Sequence, residues 1–135
     1  MRRTFVDAGV LIAAARATGA LGVRALAVFN SADRLFVSSA FVRLEVLPKA
    51  VYFRRAAEVA FYEDFFAAVE QIVPWSTALI QHAYTEACDA GLSGFDALHM
   101  AAAKSCGAEE FITTERPTKP LFRVTGIVVT SIVVP

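Results

Sequence analysis

The sequence predicts an α/β fold, a three-layer α/β/α arrangement around a mainly parallel sheet of about five strands, and three observations lead there. Short β-prone runs alternate with helical stretches along the whole chain. No hairpin signal appears until, at most, the end of the chain, and strands not joined by hairpins need crossovers, which run them parallel. A parallel sheet must be covered on both faces, and 135 residues with 56% hydrophobic content can supply one such core, too short a chain for two ordinary domains. One domain over residues 1–135 is expected.

Each element has a local reason. Thr4-Phe5-Val6 is a β-prone run ending at Asp7, and the Ala- and Leu-rich stretch Ala8 to Ala15 then turns helical. Gly19 and Gly22 punctuate the way into a second helix, Val23 to Ala32, and Asn30-Ser31-Ala32-Asp33 reads as the turn after it. Leu35 to Ser38 is the second strand. Ser38 or Ser39 is placed to cap a helix from Ala40 to Leu47, which Pro48 interrupts because proline has no amide proton and crowds the preceding turn. A long helix occupies Tyr52 to Gln71. Ile72-Val73-Pro74-Trp75 is a short third strand, with Pro74 at an edge or an end. Ser76 or Thr77 caps a helix that runs to Ala90 and stops at Gly91, and another follows from Ser93 through Cys106 to Gly107. Glu110 to Thr113 is the fourth strand and Ile127 to Val134 the fifth, with Arg116-Pro117-Thr118-Lys119-Pro120 as a loop between them.

Composition narrows function mainly by exclusion. Thirteen basic residues balance thirteen acidic ones, so bulk charge gives no reason to expect indiscriminate nucleic-acid binding. Cys88 and Cys106 lack CxxC spacing, which suits a reducing compartment and two small buried hydrophobes better than a disulfide or a zinc site. No apolar run reaches the length of a membrane span, and Asp7 breaks the only stretch that could have opened a signal peptide, so no membrane partner and a cytoplasmic location are expected.

The acids are more informative. Ser93-Gly94-Phe95-Asp96-Ala97-Leu98-His99-Met100 sets a carboxylate at the mouth of an otherwise apolar helix, where a charge must be hydrogen-bonded, paired or bound to a cation. A capping box accounts for it locally: Ser93 is the cap, and Asp96 answers its amide and suits the positive end of the helix dipole. The topology supplies a second account. Ligands of parallel α/β sheets bind beyond the carboxyl ends of the strands, and the order of elements sends four acids there. Asp7 ends the first strand, Glu45 lies in the helix leaving the second, Asp96 starts the helix that feeds the fourth, and Glu115 follows the fourth. Like charges in a half-buried cleft repel and raise one another's pKa values unless a cation neutralises them, and an all-oxygen donor set suits Mg or Mn rather than zinc. Glu58, Glu63, Asp64, Glu70, Glu86 and Asp89 fall on polar helix faces, where solvation is explanation enough.

Four blocks in this order resemble the PIN-domain family, especially its small bacterial members of the VapC toxin type: Phe5 to Ile12, Ser39 to Val46, Gly94 to Ala101 and Phe111 to Glu115. The resemblance runs the full length. It implies a parallel-sheet domain that gathers acids around Mg or Mn and cleaves a phosphodiester of RNA, with Asp7, Glu45 and Asp96 in the three core acidic places. Under it, Asp7, Asp96 and Glu115 hold the metal directly, and Glu45 acts directly or through a bound water. Two departures matter: Ala8 and Gly9 stand where a hydroxyl residue often follows the first Asp, and Glu115 stands where Asp is usual. The resemblance also implies the toxin of a type II toxin–antitoxin pair, with an antitoxin protein as partner.

Other readings stay open at this point. A catalytically weak PIN scaffold working through a protein or RNA partner would keep the same acids, and oxygen ligands alone do not separate RNA from other phosphoesters. Thr113 or Thr114 serves either a metal-bound water or the backbone at the strand end. His99, three residues after Asp96, is either a core histidine bonded to backbone or a general base. Arg43, Lys49, Arg116, Lys119 and Arg123 are either phosphate contacts or scattered surface charge. Six aromatic residues between Tyr52 and Phe66 exceed one core-facing stripe, which points to a homodimer or an antitoxin helix on that surface, unless both faces pack internally.

Overall fold

A computed structural model describes residues 1–133. The strands are β1 (Arg2–Val6), β2 (Arg34–Ser39), β3 (Gln71–Val73), β4 (Glu110–Thr113) and β5 (Val128–Ser131). The helices are α1 (Ala8–Arg16), α2 (Gly19–Phe29), α3 (Ala40–Tyr52), α4 (Ala56–Ala68), α5 (Thr77–Ala90) and α6 (Gly94–Ser105), with a 3₁₀ turn at Pro120–Arg123. The sheet runs β3-β2-β1-β4-β5 with every pairing parallel, so the three-layer α/β/α expectation holds, and no hairpin joins strands among the described residues. Val134, expected in the last strand, lies outside the described residues. No single helix among the described residues is long and apolar enough to cross a membrane.

The strand order fixes the site. The chain steps outward from β1 to β2 and β3, then returns to lay β4 on the other side of β1, so the direction reverses beside β1. That switch point leaves a crevice beyond the carboxyl ends of β1 and β4. The register makes it compact: Val6 pairs with Ile112, and the amide of Asp7 donates to the Ile112 carbonyl at 3.0 Å. Beneath it, Phe5, Leu11, Val37, Met100 and Phe111 form the centre of the core.

Several boundaries differ from the sequence reading. α2 begins at Gly19 and contains Gly22, because a Cβ at Gly22 would lie 2.6 Å from the Ala17 carbonyl carbon; the glycine is there for close packing. α3 continues through Pro48 to Tyr52. Pro48 is on the exposed face, so the carbonyl it leaves without an amide partner, that of Leu44, can be hydrated. The turn between α3 and α4 is made by Arg54 in the left-handed region, at φ 54°, with no Gly or Pro to mark it, so the single long helix expected from Tyr52 to Gln71 is shorter and separate. The aromatic residues of α4 pack internally: Tyr62 and Phe66 are buried, and Phe61 and Phe65 meet Phe29 edge-on at 5.8 and 5.5 Å. Exposed aromatics remain at the end of α3, in Tyr52 and Phe53. Cys106 is buried, as expected, but Cys88 is exposed.

Candidate active site

Asp7 is the N-cap of α1. Its Oδ1 accepts from the amide of Val10 at 3.2 Å, and its Oδ2 accepts from the hydroxyl of Thr113 at the end of β4. The residue is 8% exposed. Burial pushes its carboxyl up to about 6; the bonds from Thr113 and Val10 and the charge of His99 oppose that rise, and the charge of Asp96 adds to it.

Ser93 does cap α6, accepting from the amide of Asp96 at 3.4 Å, but among the described residues no bond returns from the Asp96 carboxylate to the Ser93 amide. The capping box is half formed, and Asp96 is half-buried. On α3, the Glu45 side chain has one polar contact among the described residues: its Oε1 lies 3.3 Å from Nε2 of His99. His99 was expected to bond to backbone or act as a base; it is buried and faces Glu45 instead. Glu115 is half-buried, and its amide donates to the Thr113 hydroxyl at 3.0 Å. Thr113 therefore ties Asp7 to the Glu115 backbone, which commits its hydroxyl. The hydroxyl of Thr114 stays open and fills the space beside Gly9, where a Cβ would lie 2.4 Å from it.

Glu45 meets His99, and the Glu115 amide meets Thr113, which also holds Asp7, but the four predicted acids do not form one tight cluster. Among the described residues, no three His, Cys, Asp or Glu side chains converge as a ready metal-binding group. Carboxylates repel, and a wide spacing costs less than a close one.

Ion pairing separates Asp7 from the other buried acids. Glu58 pairs with Arg16 at 2.6 Å and Arg55 at 3.7 Å, and Glu86 with Lys104 at 2.6 Å. Glu110 pairs with Arg34 at 3.0 Å and Arg2 at 3.4 Å. Asp7 has no Lys or Arg partner among the described residues, and neither have Asp96 and Glu115. Glu58 and Glu86 correct the expectation of solvated polar faces: both are buried, because a cation from another helix, Arg16 or Lys104, reaches each. Of the basic candidates, Arg123 reaches the Ala90 carbonyl at 3.4 Å and finishes α5, and Arg43 lies over the Phe66 ring at 6.0 Å; Lys49, Arg116 and Lys119 are exposed.

Two hollows flank this region. One of about 270 Å³ is lined by Gly9, Ile12, Ala13, Arg16, Thr18 and Thr114 among others. A larger groove of about 660 Å³ runs along α3, lined by Leu44, Leu47, Pro48, Val51 and Tyr52, and none of the four acids lines it. None of the four acids lines the smaller hollow either.

Residues 4–116 match the PIN domain family. VapBC2 from Rickettsia felis, bound to a DNA fragment from their promoter, superposes with a TM-score of 0.69 at 13% identity, over 96% of this chain and 98% of that one. A toxin–antitoxin complex from Klebsiella pneumoniae gives 0.69 at 17% identity, over 93% and 95%. The sarcin–ricin-loop-cleaving toxin VapC20 of Mycobacterium tuberculosis gives 0.64 at 21%, over 80% and 86%. At these identities the likeness is one of fold, and among curated proteins the sequence has no match. The family match spans most of the chain and includes Asp7, Glu45, Asp96 and Glu115, so this chain belongs to the PIN domain family.

Proposed function

We propose that the protein is a Mg- or Mn-dependent endoribonuclease that hydrolyses phosphodiester bonds of RNA, and the toxin of a type II toxin–antitoxin pair. One observation carries the reading: Asp7 is the buried acid without a basic partner, at the switch point of the sheet, while Glu58, Glu86 and Glu110 each have one. The donor set fits a hard cation, since Mg is commonly held by one or two carboxylates together with waters and substrate phosphate rather than by a closed protein cage. Asp7 and Asp96 would hold it directly, Glu115 would complete the site, and Glu45 would act directly or through a water. The ion, when bound, lowers the pKa of an attacking water and offsets charge on the reacting phosphate. Asp7 is oriented for this by Thr113 and the Val10 amide, which occupy one lone pair on each oxygen. Lys49, Arg116 and Lys119 are free for phosphate contacts.

Partners follow from the neighbours and from the surface. The Klebsiella pneumoniae neighbour is a toxin–antitoxin complex and the Mycobacterium tuberculosis neighbour a sarcin–ricin-loop-cleaving toxin, which supports an antitoxin partner and an RNA substrate here. Leu44, Val51, Tyr52 and Phe53 are more than half exposed along and just past α3, an apolar strip that suits a homodimer or an antitoxin helix. The open spacing of the acids favours a second reading, a PIN scaffold acting through its partner with little cleavage. Incubating labelled single-stranded RNA with the protein in EDTA, then in Mg or Mn, decides between them. Cleavage that needs the metal supports the nuclease, full cleavage in chelator removes the mechanism, and metal-independent RNA binding without cleavage selects the scaffold. Light scattering at micromolar concentration reads the dimer.

A further inference from the structure

We infer that His99 is a positioning residue: its imidazole holds the Glu45 carboxylate at the mouth of the crevice with the second carboxylate oxygen free. The inference rests on the nuclease reading of the same site. His99 is 2% exposed, and its ring is packed by Phe5 and Phe95, with centroids at 6.2 and 6.0 Å. Nε2 lies 3.3 Å from Glu45 Oε1, while Nδ1 is buried without a hydrogen-bond partner. The ring's single polar connection is therefore to Glu45. An ionised carboxylate can only accept, so Nε2 is the ring nitrogen that donates in this contact.

The two partners are unequal. The imidazole is locked by packing, whereas Glu45 is a flexible side chain, about a third exposed, that meets no Lys or Arg among the described residues. Its Oε2 has no donor among the described residues. The contact also spans the site, because α3 leaves β2 and α6 leads into β4, the two strands that flank β1. Asp7 lies between them at the end of β1, so the imidazole sets how far Glu45 stands from Asp7 and Asp96.

Two substitutions separate positioning from packing. His99→Leu keeps an apolar filler and loses the donor, whereas His99→Gln brings an amide nitrogen to about the place of Nε2. In apo protein titrated with Mn by calorimetry, the Leu variant should bind about tenfold more weakly, the lower end for groups that orient a metal ligand, and the Gln variant should recover most of the loss. Both should unfold at wild-type urea in EDTA. Equal affinity in all three proteins, or equal loss in Leu and Gln, would overturn the inference. A second arm needs neither metal nor RNA: the ¹⁵N spectrum of metal-free protein at pH 8 should show His99 protonated at Nε2, and Glu45→Ala should abolish that preference. If the wild type neither binds Mn nor cuts RNA, the nuclease reading fails. The spectrum still decides the contact: an unchanged tautomer in Glu45→Ala overturns it, and a lost preference upholds it.

Discussion

Asp7, just past the end of β1, and Glu110, at the start of the paired strand β4, are 8% and 4% exposed and differ in what surrounds them. Glu110 begins β4, across from Thr4. Burial on its own would raise its carboxyl, but hydrogen bonds from Arg34 and Thr4 and the charges of Arg34 and Arg2 outweigh it and hold the carboxyl below its ordinary value. Asp7 follows β1 at the opposite end of the sheet, where one hydroxyl and one amide are its donors, and burial wins. The amino edge of the sheet thus supplies its own cations, while the carboxyl edge carries negative groups that the chain does not neutralise. A buried acid that is paired is a structural device; one left unpaired beside another acid is poised for a partner from outside.

The sharpest way to break the comparison is to remove each charge. Asp7→Asn should lower RNA cleavage by about 10²–10³-fold, the scale for losing one group that stabilises developing charge, while leaving the fold intact. Glu110→Gln should do the reverse, keeping cleavage near wild type and lowering unfolding stability by about 1–3 kcal/mol, because Arg34 loses its anion. Initial cleavage rates and urea unfolding of the two variants read both effects. Equal losses of activity would mean that the two acids serve one network.

The pH dependence of stability should also have opposite signs at the two ends. The folded carboxyl of Asp7 is raised from 3.8 to about 6, so its contribution is fully present below about 3.8 and is lost as pH rises through 6. A shift of that size corresponds to about 3 kcal/mol. Glu110 is lowered from 4.5, so its contribution is present above that value and is lost as pH falls through the lower folded value. Urea unfolding in EDTA from pH 3 to 8 should therefore show Asp7→Asn without the decline on the neutral side, and Glu110→Gln with a flatter acid limb. If Asp7→Asn declined like wild type, its burial would be relieved in solution by something other than protonation.

The difference between these two acids explains how far the sequence could be read. Asp7 was legible because a β-prone run ends there and a helix begins, and the parallel order then sends Glu45, Asp96 and Glu115 to the same edge. The parallel arrangement needed nothing beyond local periodicity and the rarity of hairpin signals, whereas the strand order and register come from the structure alone. What stayed hidden depends on long-range partners. Whether Glu58 and Glu86 are solvated or buried turns on Arg16 and Lys104, which come from other helices, and the polar side of a helical pattern looks the same either way. The contact of His99 with Glu45 crosses between two helices far apart in sequence, so spacing from Asp96 could place the ring near the crevice without naming its partner. The turn at Arg54 was missed for a local reason, since a left-handed Arg carries no compositional mark.

A smaller effect sharpens the picture of the Asp7 end. A Cβ at Gly9 would lie 2.4 Å from the Thr114 hydroxyl and 3.4 Å from Asp7 Oδ1, so Gly9→Ala forces Thr114 to turn. It should cost about 1–3 kcal/mol, the range for overpacking. Thr114→Ala removes the atoms in the way, and the double variant should recover most of that loss in a double-mutant cycle. Independent, additive losses would show that the glycine is required for some reason other than the hydroxyl beside it.

The smallest expected effect tests whether Asp96 belongs with Asp7 or only with its own helix. Two forces act on Asp96→Asn in metal-free protein. The substitution removes a negative charge from the first turn of α6, which costs about 0.3–1 kcal/mol at any pH where that charge is present. It also relieves repulsion with Asp7, but only where Asp7 is ionised. With its carboxyl at about 6, Asp7 is mostly protonated at pH 5 and mostly ionised at pH 8. The variant should therefore lose more stability at pH 5 than at pH 8, and the gap should vanish in an Asp7→Asn background, where there is no charge left to repel. The coupling should be about 0.5 kcal/mol, the lower end for neighbouring groups, because Asp96 is half-buried and water screens it in part. Urea unfolding of the four proteins in EDTA at the two pH values measures it. A loss that is the same at both pH values and in both backgrounds would reduce Asp96 to a dipole partner of α6 and leave Asp7 as an isolated buried acid.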